Sequence, residues 1–575
     1  MFERVRFRCG FVGPRSVRAV SGGVILGVAL LVGGVWPACA VHLPAEHSTA
    51  RSGAQKYWIF LEQRPSSSPS RSAQGMRPVA NVYLRRLRTL GVRPLVHSRW
   101  FHAVSARLSP AMRRTVAQRP YVRRTQPVGT LSPLRRPGRA GDRSGVARAP
   151  LLPDPPRAFT PPRAFTPPRA PAVGALEGPL RRIRALPPLA RGWNGRGIRI
   201  GFLDASFAGL RHPAFVSLRA DGRLAALRSF PRRRQGGTHG LGVVSVAAGY
   251  DAGRLVGPAF GATVLGATTE YTQFERTVEE DHFVAGLEWL YRRGADVVNV
   301  SIGYTTFDKG QRSYAPEDLD GDTALTTRAV DRAAHLGMTI VVSAGNSGCD
   351  TPDACWYYVN TPADADSALT VGAVAPDSSL APFSARGPTA DGRRKPDVLV
   401  QGQGIPAASA RGGYTRVSGT SFASPQVTAV VAQMLQVNPS LGPMAVRRLL
   451  RRTASHAQSP DTSRGWGIVN ADAALRTAEW LARRTPPSRL QVARPYRSVR
   501  DSALIVPVSA PPHTAALRVE MRSPQGRRLY RATQPAHAGP NRLRVEASAV
   551  PPGRYRCVVV TDRGRRATRL VTLSP

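Results

Sequence analysis

The chain has 575 residues, 42% of them apolar, with 51 prolines and 54 glycines, so it exceeds one ordinary domain and carries long connecting stretches beside its cores. Its formal net charge of +45 would raise a polyanion as partner, yet residues 190–480 hold 30 basic against 26 acidic side chains. The excess lies in the flanks, is nearly all arginine (the lysines are Lys56, Lys309 and Lys395), and comes with no recognition motif, so no nucleic acid is expected as a partner.

Residues 1–40 read as an export signal. Arg4, Arg6, Arg8, Arg15 and Arg18 precede an apolar run at 24–35 that is too short to span a bilayer, and Ala38-Cys39-Ala40 follows as an A-x-A cleavage signature. Residues 50–130 open with the strand-like Tyr57-Trp58-Ile59-Phe60-Leu61, continue through a helical pattern at 79–90 that stops at Gly91, and return to apolar segments at 92–96 and 100–108. That alternation predicts a small α+β unit. Residues 131–189 are a linker rich in proline and arginine, with Arg157-Ala158-Phe159-Thr160-Pro161-Pro162 repeated directly as Arg163-Ala164-Phe165-Thr166-Pro167-Pro168; proline at this density favours an extended, exposed chain.

Between 190 and 480 short apolar strands at 198–203, 264–267, 297–301, 340–343 and 369–374 alternate with helical patterns such as 283–293 and 324–336. Strands apolar on both faces and separated by helices predict an α/β domain with a parallel sheet flanked by helices. From 488 to 575 the helical patterns stop. Alternating segments at 503–508, 516–521, 541–546, 555–561 and 567–573, separated by turns such as Pro551-Pro552-Gly553, predict a C-terminal β-sandwich.

Four segments of the α/β domain carry chemistry. The first strand ends in Asp204, where parallel sheets place functional groups; a capping carboxylate is the plainer alternative. His239 lies in Gly236-Gly237-Thr238-His239-Gly240, before a helical run at 243–248. Ser421 lies in Ser418-Gly419-Thr420-Ser421-Phe422-Ala423-Ser424-Pro425, which opens an apolar helix. A serine there has an unpaired backbone N–H in positive helix potential, which suits a nucleophile whose attack creates an oxyanion; an N-cap serine is the commoner use. Asn346 follows the strand in Val341-Val342-Ser343-Ala344-Gly345-Asn346 and could donate to the same oxyanion.

In this order and with the G-T-S-x-A-x-P segment around Ser421, these residues resemble the signature segments of the subtilisin-like serine proteases, the subtilases. The resemblance implies a subtilisin-like fold over 190–480 and a secreted serine endopeptidase. Ser421 would be the nucleophile, His239 the general base and then acid, and Asp204 the group fixing the imidazole tautomer. The Asn346 side chain and the Ser421 N–H would form the oxyanion hole. Ser301-Ile302-Gly303 would bind an extended peptide or protein substrate as an added strand. No cofactor is required. Two departures stand out: Asp204-Ala205-Ser206 where the family has Asp-Ser/Thr-Gly, and His239-Gly240-Leu241 where it has His-Gly-Thr. Neither removes a reacting atom, though a catalytically inactive binding module on the same scaffold is the alternative.

The resemblance also casts the 50–130 unit as a propeptide that assists folding and inhibits until cleaved, which makes the chain a zymogen. Pro552-Gly553-Arg554-Tyr555 with Thr561-Asp562-Arg563-Gly564 resembles the C-terminal sorting domains of type IX (Por) secretion, which would bring in the secretion machinery as a partner. Cys349 and Cys355, in one loop of an exported chain, are a disulfide candidate, and Cys557 is left over as a buried strand residue. Asp318, Asp320 and Asp322 alternate beside Gly321 as carboxylates of a structural calcium loop do, without the downstream Glu of an EF-hand. Glu279, Glu280 and Glu288 read as helix surface charge or as acidic groups near the cleft.

Overall fold

The computed structural model describes residues 54–62, 78–128, 172–231, 236–308, 311–349, 356–484, 490–492, 495–498, 503–511, 513–536 and 539–573. The expected export signal, the repeat-bearing part of the linker, Lys309 and Cys355 lie outside them. Among the described residues no helix is long and apolar enough to cross a membrane.

The central element is a seven-stranded, wholly parallel sheet. Its strands run in the order Val398–Gln401, Leu369–Val374, Thr339–Ser343, Val297–Val300, Arg199–Asp204, Thr263–Thr268 and Leu224–Ser229. The inner strands are buried along almost their whole length, because helices cover both faces and each alternate side chain meets apolar neighbours. The edge strand Leu224–Ser229 alternates half-buried with exposed residues, and this weaker apolar signal is why it was not expected from the sequence.

Two helices matter most for the site. His239–Ala248 is apolar all round and almost wholly buried. Thr420–Val437 is buried along nearly its whole length and contains Pro425. A proline has no N–H for the carbonyl four residues earlier, so the helix leaves the Ser421 carbonyl unused. Ser301 Oγ donates to that carbonyl instead at 3.0 Å, which ties the serine helix to the strand Val297–Val300.

Residues 54–128 form a four-stranded antiparallel sheet in the order Pro94–Ser98, Ala103–Leu108, Gln55–Leu61 and Val122–Pro127, with helices Asn81–Thr89 and Pro110–Ala117. Strand Gln55–Leu61 shows why its apolar run is unbroken. Tyr57, Ile59 and Leu61 pack with the two helices, whereas Trp58 and Phe60, on the opposite face, join a core shared with Phe283, Val284 and Leu287. The sheet is therefore buried on both sides, one of them against the helix Val278–Arg292.

Past 490, a sheet containing Gln491–Val492, Ala503–Ala510, Tyr496–Ser498 and Gly539–Glu546 and a second sheet in the order Arg528–Pro535, Ala516–Arg522, Gly553–Thr561 and Arg566–Leu573 share one apolar core. Cys557 is a free, fully buried thiol there, pushed up to about 12 by burial. The Arg542 guanidinium stacks 4.3 Å over the Trp193 ring and joins this β module to the α/β unit.

Candidate active site

Asp204 ends its strand fully buried. One carboxylate oxygen, Oδ1, accepts from the Ala205 N–H at 2.8 Å and from His239 Nδ1 at 2.8 Å. A carboxylate can only accept, so the contact places the proton on Nδ1 and leaves Nε2 as the basic nitrogen. The second oxygen, Oδ2, is buried with no hydrogen-bond partner among the described residues. The Asp204 charge raises the His239 pKa above its usual 6.5, and partial burial opposes it. Gly240 is required beside the histidine, since a Cβ there would stand 2.5 Å from the Ser206 carbonyl oxygen, the group that accepts the Gly240 N–H.

Ser421 is the second residue of its helix, so its N–H has no acceptor one turn earlier within the helix. Its hydroxyl donates to the Ser301 carbonyl at 3.3 Å. The ring of the next residue, Phe422, lies 5.3 Å from the His239 ring. Asn346 is exposed, but its amide is not free to turn: Oδ1 accepts from the Thr420 N–H at 2.8 Å and from Thr420 Oγ1 at 2.9 Å. That leaves Nδ2 as the available donor. Gly419 keeps φ at +147°, and a Cβ there would sit 3.2 Å from Asn346 Nδ2, so glycine preserves both the turn into the helix and the position of the amide.

Ser301, expected as a substrate-binding residue, turns its side chain inward to the Ser421 carbonyl, Ser424 Oγ and Asn299 Nδ2. Ile302 is half-buried and Gly303 exposed, which leaves this stretch of backbone at the surface. The remaining candidates lie apart from Asp204 and His239 in their contacts. Asp320 caps the Asp322 and Thr323 N–H groups, and Asp318 accepts from the Ala315 N–H and pairs with Arg312; among the described residues no three His, Cys, Asp or Glu side chains are grouped so as to hold a metal ion. Cys349 is disulfide-bonded.

The three glutamates are neither surface charge nor cleft charge, because all are buried. Glu279 accepts from the Tyr271 and Arg276 N–H groups, both at 2.6 Å, and so closes the 271–277 loop. Glu280 accepts from the Tyr314 hydroxyl. Glu288 accepts from Ser98 Oγ at 2.6 Å and from the Arg99 and Trp100 N–H groups at 3.1 and 3.2 Å, so it binds the N-terminal unit. Helix periodicity puts these residues on one helix, but their burial comes from what folds over it: the preceding loop for Glu279, and segments far away in sequence for Glu280 and Glu288.

Glu270 was missed. It takes the Tyr304 and Thr269 hydroxyls at 2.7 Å each, and burial, reinforced by the nearby Glu275 and Asp204 charges, pushes its carboxyl up to about 7. The available signal is a glutamate two residues past the buried strand Thr263–Thr268. Asp281, also buried, pairs with Lys56 of the N-terminal unit and accepts from Ser105 Oγ at 2.6 Å.

Residues 228–467 match the subtilase family model. The chain is 30% identical over 258 residues to serine protease AprX of Bacillus subtilis (strain 168), a match that spans 41% of this chain and 56% of that protein. It is 28% identical to subtilisin DY of Bacillus licheniformis, across 51% of this chain and 96% of the relative. The solved structure of the prenylagaramide maturation protease PagA is similar over 51% of this chain and 98% of its own, at 24% identity and a TM-score of 0.41. The chain thus spans just over half the length of AprX, and the matches support a serine-type endopeptidase in a subtilisin-like domain.

Proposed function

We propose that this chain is an exported serine endopeptidase, made as a precursor that processes itself. The observation that carries the reading is the oriented pair formed by Asp204 and His239, at the same edge of the sheet as Ser421 and an Asn346 amide whose donor is left free. When a substrate arrives, the Ser421 hydroxyl leaves the Ser301 carbonyl, gives its proton to His239 Nε2, and Oγ bonds to the scissile carbonyl carbon. The oxyanion so formed is met by Asn346 Nδ2 and the Ser421 N–H. His239 then passes its proton to the leaving amine, and water delivered through the same nitrogen releases the acyl group. Asp204 stays ionised and holds the ring. The substrate lies extended along the backbone of Ile302 and Gly303.

The N-terminal unit is read as the inhibitory and folding-assisting propeptide. What supports this is its docking: it places Trp58, Phe60 and Trp100 in a core shared with the α/β unit and pairs Lys56, Ser98 and Ser105 with carboxylates of one helix. The decisive test labels the secreted, processed protein with a fluorophosphonate beside Ser421→Ala. Labelling of the wild type alone, with unprocessed mutant, is the expected result. A folded, processed wild type that takes no label would leave a binding module on a protease scaffold.

A further inference from the structure

The β module carries a charge imbalance that catalysis does not use. Residues 488–575 contain 17 arginines and 4 acidic side chains, and the strand register gathers many of the arginines on one surface. In the sheet Arg528–Pro535, Ala516–Arg522, Gly553–Thr561 and Arg566–Leu573, the side chains of Leu517, Val519, Met521, Cys557 and Val559 point into the module's core. The alternate residues therefore face outward. Across the strands Arg518 lies opposite Val560 and Thr533, Glu520 opposite Val558 and Arg531, and Arg522 opposite Arg556 and Arg528; Val560 in turn faces Arg566, and Arg556 faces Leu570.

Seven arginines, Arg518, Arg522, Arg528, Arg531, Arg554, Arg556 and Arg566, thus share one face. Among the described residues its one carboxylate is Glu520, held by Arg518 and Arg522 at 3.4 and 2.6 Å. Leu570 projects from the same face, 76% exposed. Strands about 4.8 Å apart give this four-stranded face a span of roughly 15 by 20 Å.

We propose that this face docks the protein on the anionic phosphate headgroups of a membrane surface. Guanidinium groups bind phosphate oxygens two at a time, and an array of them spread over one sheet face matches an array of phosphates. The exposed Leu570 adds an apolar residue able to enter the interfacial layer. The outward residues include no aromatic ring on which a base or sugar would stack, which weighs against a soluble nucleic acid or glycan in the same place. The nearly balanced α/β unit would then remain free to meet substrate while the β module holds the surface.

The test uses the full chain carrying Ser421→Ala, to keep it intact, and vesicles of equal parts phosphatidylglycerol and phosphatidylcholine beside pure phosphatidylcholine. Sedimentation with the anionic vesicles alone, and its loss at high salt, is expected. At about fivefold per arginine near an anionic surface, the combined Arg528→Gln, Arg554→Gln and Arg556→Gln variant, which leaves the Arg522–Glu520 pair intact, should bind about 100-fold more weakly, and Leu570→Ser about tenfold. Arg211→Gln, Arg394→Gln and Arg411→Gln together, on the α/β unit, should change nothing. Thermal melts of each variant check folding. Equal binding to neutral vesicles, or a face variant that behaves like the control, overturns the proposal. So does tighter binding to heparin or single-stranded DNA than to vesicles, which would assign the face to a soluble polyanion.

Discussion

Replacing Glu288 by alanine separates the carboxylate from the apolar part of the contact between the N-terminal unit and the α/β unit. Three donors of the N-terminal unit, the Ser98 hydroxyl and the Arg99 and Trp100 N–H groups, converge on this one carboxylate. Hydrogen bonds to a charged group are worth about 1.5–3 kcal/mol each. Part of that gain is spent on burial, which raises the Glu288 pKa and so opposes the ionised form. The apolar contacts of Trp58, Phe60 and Trp100 survive the substitution. The net loss should be about 3 kcal/mol, or roughly 150-fold in affinity. On the proposed precursor reading, in which processed enzyme still holds a cleaved N-terminal unit, dilution should release activity at a concentration higher by that factor in Glu288→Ala, with active enzyme counted by fluorophosphonate titration. Glu288→Gln, which keeps one acceptor, should fall between. A midpoint within threefold of wild type would refute the reasoning and show that apolar contact alone holds the unit.

Asn346→Ala should lower kcat by about 10²–10³ with little change in KM; the magnitude is that of subtilisin's own oxyanion asparagine, not one worked out for this chain. Single-turnover acylation of an ester substrate would show it, and an equal loss in KM would point to ground-state binding instead. Because Asp204 holds the His239 pKa above 6.5 and the neutral ring is the base, kcat/KM should rise with pH through an ionisation above that value; a profile flat across neutrality would argue against His239 as base. Glu270, raised from 4.5 to about 7, keeps a proton in the folded chain that the unfolded chain releases. Its stabilisation is complete below 4.5 and is lost as pH rises through 7, about 3 kcal/mol in all. Urea midpoints should therefore fall between about pH 5 and about pH 8, a slope Glu270 shares with its neighbours Glu279 and Glu280, which burial raises to about 8 and about 7; Glu270→Gln should reduce the slope without abolishing it, and an unchanged slope would place the titration elsewhere.

Much of the α/β architecture is legible in the chain itself, because local physics sets it. Strands such as Val297–Val300 and Thr339–Ser343 are apolar on both faces and could be stable only between covering layers. Ser421 at the opening of an apolar helix and Asp204 at the end of a strand announce themselves by position. Pro425 marks the same place through backbone chemistry: it frees one carbonyl in the first turns of the helix. The unbroken apolar run of strand Gln55–Leu61 likewise calls for cover on both its faces, without naming the partner.

What the sequence could not decide was which distant surfaces meet. Glu279, Glu280 and Glu288 read as solvated charge because helix periodicity carries no information about what folds over that face: a preceding loop for Glu279, Tyr314 for Glu280 and the N-terminal unit for Glu288. The structure buries them, and Asp281 with them, against Tyr271, Tyr314, Ser98 and Lys56. The Ser301 hydroxyl has its own partner in the Ser421 carbonyl, an acceptor 120 residues away in sequence that Pro425 leaves open, and this is separate from the backbone role in substrate binding that the sequence suggests for Ser301-Ile302-Gly303. The polar strand Arg528–Pro535 escaped notice for the same reason: its outward arginines hide the alternation, and only pairing with Ala516–Arg522 satisfies its backbone. Residue type and local period determined which groups could do chemistry. Contacts across long sequence separations decided which of them are buried, paired or left facing solvent, because desolvation and hydrogen bonding depend on neighbours that the chain supplies only after it has folded.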